Sequence, residues 1–143
     1  MKYNKRYTVL TALIVALGGF LLGFDSAVIS GAVPFIKEYF VLNDIMLGWS
    51  VSCLILGAML GNSVAGPLSD RFGRKNVLIF TALLFGISAV SSALATQFTF
   101  FIIARIIGGI GVGGAILIAP IYIAEIAPAE KRGQLVSFNQ LNI

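Results

Sequence analysis

Histidine is absent from this 143-residue chain, and cysteine occurs once, as Cys53 inside an apolar run. No metal-ligand cluster, thiol pair or Ser/His/Asp set can be assembled from such a sequence, so no catalytic group and no metal site is assigned. Cys53 reads as a small hydrophobe within a helix. Charge is scarce as well, at 11% of residues, less than half of the ~25% of a soluble globular domain. The 16 glycines follow no Gly-X-Y period, which excludes collagen.

In place of charge the chain has apolar residues: 58% are hydrophobic and the mean hydropathy is +0.97. That excludes disorder, because disordered segments are poor in the residues that drive burial. The net charge of +4 does not read as a nucleic-acid surface. Its cations sit in short clusters between long uncharged runs, the pattern of loops between membrane spans. The sequence is that of an all-α membrane protein.

The uncharged runs cover residues 7–24, 26–36, 45–69, 76–104, 106–124 and 133–143, and a spanning helix needs about 20 apolar residues. The first two runs form one span interrupted by Asp25, predicted as helix 1 at 8–32 and stopped ahead of Pro34. Helix 2 is predicted at 45–66, ended by Gly66-Pro67. The run from Asn76 is too long for one span and breaks at Thr96-Gln97-Phe98-Thr99, giving helix 3 at 77–96 and helix 4 at 98–124. Residues 133–143 begin a fifth helix too short to cross a bilayer. A signal peptide does not fit the first segment, since its apolar stretch is too long and further spans follow.

Cytoplasmic loops collect Lys and Arg. With the N-terminus inside, Lys2, Lys5, Arg6, Arg71, Arg74, Lys75, Lys131 and Arg132 are cytoplasmic, and only Lys37 is external. Trp49 then sits at the outer end of helix 2, where an interfacial indole belongs. Small residues recur four apart at Gly19, Gly23, Ala27 and Gly31 in helix 1, at Gly57, Gly61 and Ala65 in helix 2, and at Gly109 and Gly113 in helix 4. Such ridges let helix backbones approach closely. Helix 3 has only Gly86 and no ionisable group within its span, so it is expected outermost, against lipid.

An ionisable group inside a span usually faces a cavity or a partner. Asp25 and Arg105 are the two such groups. Each is seven residues from the outer end of its predicted helix, hence about 10 Å below the outer boundary. Opposite charges at equal depth are expected to pair. The cation would favour the ionised carboxylate and desolvation would oppose it, and protonation would weaken the pair. Glu125 ends helix 4, where the helix dipole disfavours an anion, so it is expected to find a cation, with Arg74 and Arg132 as candidates. Gln140 lies about 12 Å into helix 5; its amide suits either a sugar hydroxyl or a neighbouring helix. Asn139 and Asn142 are weaker candidates.

Several motifs were weighed. Gly109-Ile110-Gly111-Val112-Gly113-Gly114 satisfies G-x-G-x-x-G, but the dinucleotide motif needs a preceding strand, and inside an apolar span the match is accidental. The loop from Gly66 through Asp70, Arg71, Gly73, Arg74 and Lys75 is more specific. It resembles the signature G-x-L-[AS]-D-R-x-G-R-[RK] between helices 2 and 3 of the major facilitator superfamily. Gly23-Phe24-Asp25 to Gly31, the R-x-x-x-G-x-G-x-G of Arg105 to Gly113, and the P-x-Y-x-x-E-x-x-P-x-x-x-R-G of Pro120 to Gly133 narrow the resemblance to the sugar porter family, nearest to bacterial proton-coupled sugar symporters.

The resemblance implies a twelve-helix major facilitator fold, of which this chain is expected to be the N-terminal part only: four transmembrane helices plus the start of a fifth. It implies a multi-pass inner-membrane carrier, not an enzyme, whose partners are a small-molecule sugar, the lipid bilayer and a C-terminal half, with no nucleic acid. It needs no cofactor, and its coupling ion is a proton. Asp25 and Arg105 match the proton-coupling pair and Gln140 matches a sugar contact, while Phe24 is one of eleven phenylalanines whose ring could stack on a sugar. Asp70, Arg71, Arg74, Glu125 and Arg132 match a cytoplasmic charge network that gates the outward-open state. The 143 residues alone are expected to be inactive. A facilitative sugar or polyol carrier and a non-transporting membrane subunit remain the alternatives; facilitative members tend to lack the helix-1 acid.

The topology is directly testable. Asn43→Cys should be labelled from outside intact cells and Asn76→Cys should not; external labelling of the latter overturns the orientation.

Overall fold

The computed structural model describes residues 23–127 together with 133, 136 and 137, and every regular element among them is helical. Four helices follow in order: α1 (described from 23 to 39), α2 (Asp44–Phe72), α3 (Arg74–Ala93) and α4 (Phe98–Ile126). The last three are long and apolar enough to cross a membrane. Residues 133, 136 and 137 are helical too, and the rest of the predicted fifth helix lies outside the described residues.

Glycine sets the arrangement. A Cβ at Gly57 or Gly61 of α2 would run into the carbonyl oxygen of Ile106 or Ile110 on α4, and one at Gly109 or Gly113 would strike the carbonyls of Leu54 and Ala58. The backbones of α2 and α4 therefore meet directly. The buried residues of α2, namely Ser50, Cys53, Gly57, Gly61, Ala65 and Ser69, recur every three or four positions along this one seam. A second face of α4, with Gly108, Gly111 and Gly114, receives Ser88 and Thr81 of α3. Ser88 also donates a 2.6 Å hydrogen bond from its Oγ to the Ala104 carbonyl. With helices on two sides, 61% of the apolar window of α4 is buried, against 22% for α2 and 17% for α3. Helix α3 is thus the least covered of the three, with Ile79, Phe80, Leu83, Ile87 and Val90 exposed.

The helix boundaries correct the sequence reading in all four helices. Helix 1 does not stop at 32 but continues through Pro34 to 39. Proline removes one backbone donor; here the following turns are held by Ile36 and Phe40, which pack on Cys53, Ala95, Phe101 and Ile102. Helix 2 does not end at Gly66-Pro67 but runs to Phe72, with Pro67 inside it. Its terminator is Gly73, at φ 86°, whose N–H donates to the Ser69 carbonyl at 2.9 Å. A left-handed φ is what glycine supplies at a helix end. Helix α3 starts at Arg74 rather than 77 and ends at Ala93 rather than 96. Helix α4 begins at Phe98 as read from the sequence and extends two residues further, to Ile126.

Of the small-residue face expected on helix 1, Gly19 lies outside the described residues, Gly23 is half-buried, and the two outer positions make no contact. Ala27 and Gly31 are exposed, and a Cβ at Gly31 would meet nothing within 4 Å. Helix α1 instead presents Asp25, Ile29, Ile36 and Phe40 to its neighbours. Among the described residues, bulky side chains and an ion pair make this contact.

At the other end of α1, the Leu42 N–H donates to the Lys37 carbonyl at 3.0 Å and the Val41 N–H to Glu38 at 3.3 Å. This double closure places Val41 at φ 51°, a position that usually takes glycine. Lys37 reaches across the turn to Asp44 at 2.7 Å. Asn43 caps α2, accepting from the Met46 N–H at 2.8 Å.

The two kinds of glycine predict opposite outcomes. Gly61→Ala should lower the melting temperature, costing about 1–3 kcal/mol for forcing two backbones apart. Gly86→Ala meets nothing within 4 Å and should raise it by up to about 1 kcal/mol through helix propensity. Thermal unfolding in detergent separates them.

Candidate functional site

Two charge clusters lie toward opposite ends of α4, about 30 Å apart along its axis. In the first, Arg105 points from α4 to α1, and its Nη1 donates to both carboxylate oxygens of Asp25 at 3.1 and 3.0 Å. The side chains are 8% and 24% exposed. One residue after Arg105 comes Ile106, whose carbonyl lies against Gly57, so the α2–α4 seam fixes the rotation of α4 at the arginine. Among the described residues, the Arg105 Nε is buried without a hydrogen-bond partner. An arginine so enclosed depends on the Asp25 counter-ion, since a buried charge without a partner is strongly disfavoured.

The second cluster joins the α2–α3 turn to the end of α4. Arg74 donates from Nη1 to Asp70 at 2.6 Å and from Nε to Glu125 at 3.2 Å. Its Nη1 also reaches the hydroxyl of Ser69, which in turn donates to the Gly66 carbonyl at 2.8 Å. Termination of α2 at Gly73 is what brings Arg74 back over the last turn of that helix. Of the two cations considered for Glu125, Arg74 is the one that meets it; Arg132 lies outside the described residues. Arg71 stands apart from this cluster, its guanidinium over the Phe72 ring at 5.6 Å from the centroid.

The remaining sites are less complete. Phe24 lies next to Asp25 in α1 and is 57% exposed. Gln140 falls outside the described residues, as do Asn139 and Asn142. Sequence reasoning missed Ser69, whose hydroxyl is reached by Arg74, because the motif position accepts Ala or Ser and carries no signal of a bond. It also missed Ser88, for which the sequence offers only an isolated hydroxyl in an apolar helix.

Known proteins bear on this geometry. The sequence model of the family described as "Sugar (and other) transporter" matches residues 11–143. This chain belongs to the sugar porter family of the major facilitator superfamily. It is 47% identical over 140 residues to the glucose transport protein of Synechocystis sp., an alignment covering 98% of this chain and 30% of the relative. It is 41% identical over an alignment of 168 residues to the D-xylose-proton symporter of Escherichia coli, covering 99% of this chain and 34% of that protein. The inward-open structure of the xylose transporter XylE from E. coli superposes with a TM-score of 0.88 at 42% identity, covering 96% of this chain and 37% of that one. The chain thus spans about a third of the length of the curated relatives it matches. Sugar porters are multi-pass membrane carriers rather than enzymes.

The clusters differ in what they can bear. Arg105→Leu leaves the Asp25 carboxylate without its cation and should destabilise the protein by about 3–5 kcal/mol. Glu125→Gln removes one bond from an exposed pair that water screens, so the melting temperature should stay nearly unchanged. Thermal unfolding of both variants under one buffer checks the contrast.

Proposed function

We propose that this chain belongs to a sugar–proton symporter working by alternating access, with Asp25 carrying the proton and Arg105 as its counter-ion. The observation that carries the reading is the enclosed Asp25–Arg105 pair, 3.0 Å apart between apolar helices. A carboxylate held only by a buried cation has two states of different packing. Ionised, it ties α1 to α4; protonated, it no longer does. Relatives named as arabinose-proton and D-xylose-proton symporters support the proton as coupling ion, with no further cofactor. The presence of an acid at Asp25 argues against a facilitative carrier.

In this reading the N-terminus is cytoplasmic and Gln140 and Phe24 contact the sugar. The cluster of Asp70, Arg74 and Glu125, with Arg71 and Arg132 nearby, ties the cytoplasmic ends of the helices together in the outward-open state. The sugar site is shared with a second half of the transporter, and the 143 residues alone carry no sugar.

The test is made on the full-length protein. Asp25→Asn keeps the size of the side chain and loses the titrating group. Sugar accumulation against a gradient should be abolished in proteoliposomes while counterflow exchange survives. If the variant still takes up protons with sugar, Asp25 is structural and the symport reading fails.

A further inference from the structure

Helix α1 is held on α4 at two points. The inner one is the Asp25–Arg105 pair. The outer one is aromatic: the Phe40 ring lies 5.9 Å from the centroids of both Phe98 and Phe101, and Tyr39 meets Phe40 edge-on at 4.8 Å. Phe101, 6% exposed, sits one helical turn before Arg105. Between the two points α1 climbs fifteen residues, about 22 Å, whereas α4 covers only four to seven residues, about 6–10 Å. Helix α1 therefore does not run alongside α4 but closes over its first turns.

Inside that stretch is Pro34, which offers no backbone N–H to the preceding turn. One turn before it is Gly31, where a Cβ would meet nothing within 4 Å. The outer end beyond Pro34, by contrast, is over-determined. It carries the double closure at Val41, the buried Leu42 at 6% exposure and the Lys37–Asp44 bridge. A non-glycine residue at φ 51° persists only where its surroundings hold it. The two points also differ chemically. Around Asp25, α4 contributes the Arg105 cation, and α2 contributes the buried Cys53 thiol on the same side of α4. On α3 the ionisable side chains, Arg74 and Lys75, are at its far end, and on α1 itself Lys37, Glu38 and Tyr39 lie beyond Pro34. The seat of Phe40 on Phe98 and Phe101 contains no titrating group that a proton could release.

We infer that Phe40 is a positioning residue for proton coupling: its seat on Phe98 and Phe101 pins the outer end of α1, so that freeing Asp25 from Arg105 swings the inner segment about Pro34. This rests on the symport reading above. With the pin in place, protonation of one carboxylate becomes a directed movement of α1. Without it both ends of α1 give way, and sugar moves without its proton.

The experiment compares sugar-driven proton uptake, proton-driven accumulation and counterflow exchange for the full-length protein in proteoliposomes. Phe40→Ala should leave counterflow within about twofold of the parent while accumulation falls at least about tenfold, a split in the range of ordinary coupling energies. Phe40→Tyr, which keeps the ring, should restore accumulation. Pro34→Ala restores the backbone donor without removing a contact, so a folding defect is not expected; it should stiffen the joint and lower accumulation relative to counterflow. Equal loss of both activities in Phe40→Ala, or an unchanged ratio in Pro34→Ala, overturns the inference. Absence of sugar-driven proton uptake in the parent protein identifies instead a failure of the symport reading.

Discussion

Gly57 and Gly61 of α2 meet Gly109 and Gly113 of α4 backbone to backbone, and the positions of the other described helices follow from that seam. In a bilayer there is no hydrophobic gain from burying leucine against leucine, so association relies on close packing and on polar contacts. Glycine supplies the first, because removing Cβ lets the carbonyls of Leu54, Ala58, Ile106 and Ile110 fill the space. Once α4 is locked to α2 by one face, its Gly108, Gly111 and Gly114 face is left for α3. The arginine on its remaining side is aimed at α1.

That last consequence links packing to chemistry. Arg105 is enclosed, and a guanidinium in apolar surroundings is tolerated only with a counter-ion. Helix α1 provides it. Among the described residues, the enclosed ion pair lies between α1 and α4, whereas within the apolar spans α2 and α3 meet α4 through backbone, apolar side chains and the Ser88 hydrogen bond. The other ionic tie to α4, Arg74–Glu125, is exposed at its far end.

The charge cluster at the far end of α4 obeys different rules. Asp70 and Glu125 are exposed, so their bonds to Arg74 are screened and readily exchanged for water. Such bonds suit a contact made in one conformation and broken in another. The Asp25–Arg105 pair is far less open to water, so its partners are not so readily exchanged. Placing the two kinds of ion pair toward opposite ends of one central helix gives that helix one enclosed ionic tie and one loose one.

The sequence by itself determined the membrane class, the order of the helices, the glycine seam and the pairing of Asp25 with Arg105. The first three depend on local properties that linear spacing preserves, run length and a four-residue repeat. The pairing followed from opposite charges inside apolar spans, since α1 runs on to 39 and the depth counted from residue 32 did not hold. It misjudged Pro34 and Pro67, because a proline's missing donor is a local fact, whereas the packing of Ile36 and Phe40 that carries helix α1 past Pro34 comes from residues as distant as Phe101 and Ile102. It left Glu125 with two candidate cations, and the turn at Gly73 is what brings Arg74 to it, since a left-handed glycine reverses the chain over the last turn of α2. The aromatic seat of Phe40 was likewise invisible among eleven phenylalanines. Which ring meets which is fixed by the path of α1 over the start of α4, and that path exists only once the helices are packed.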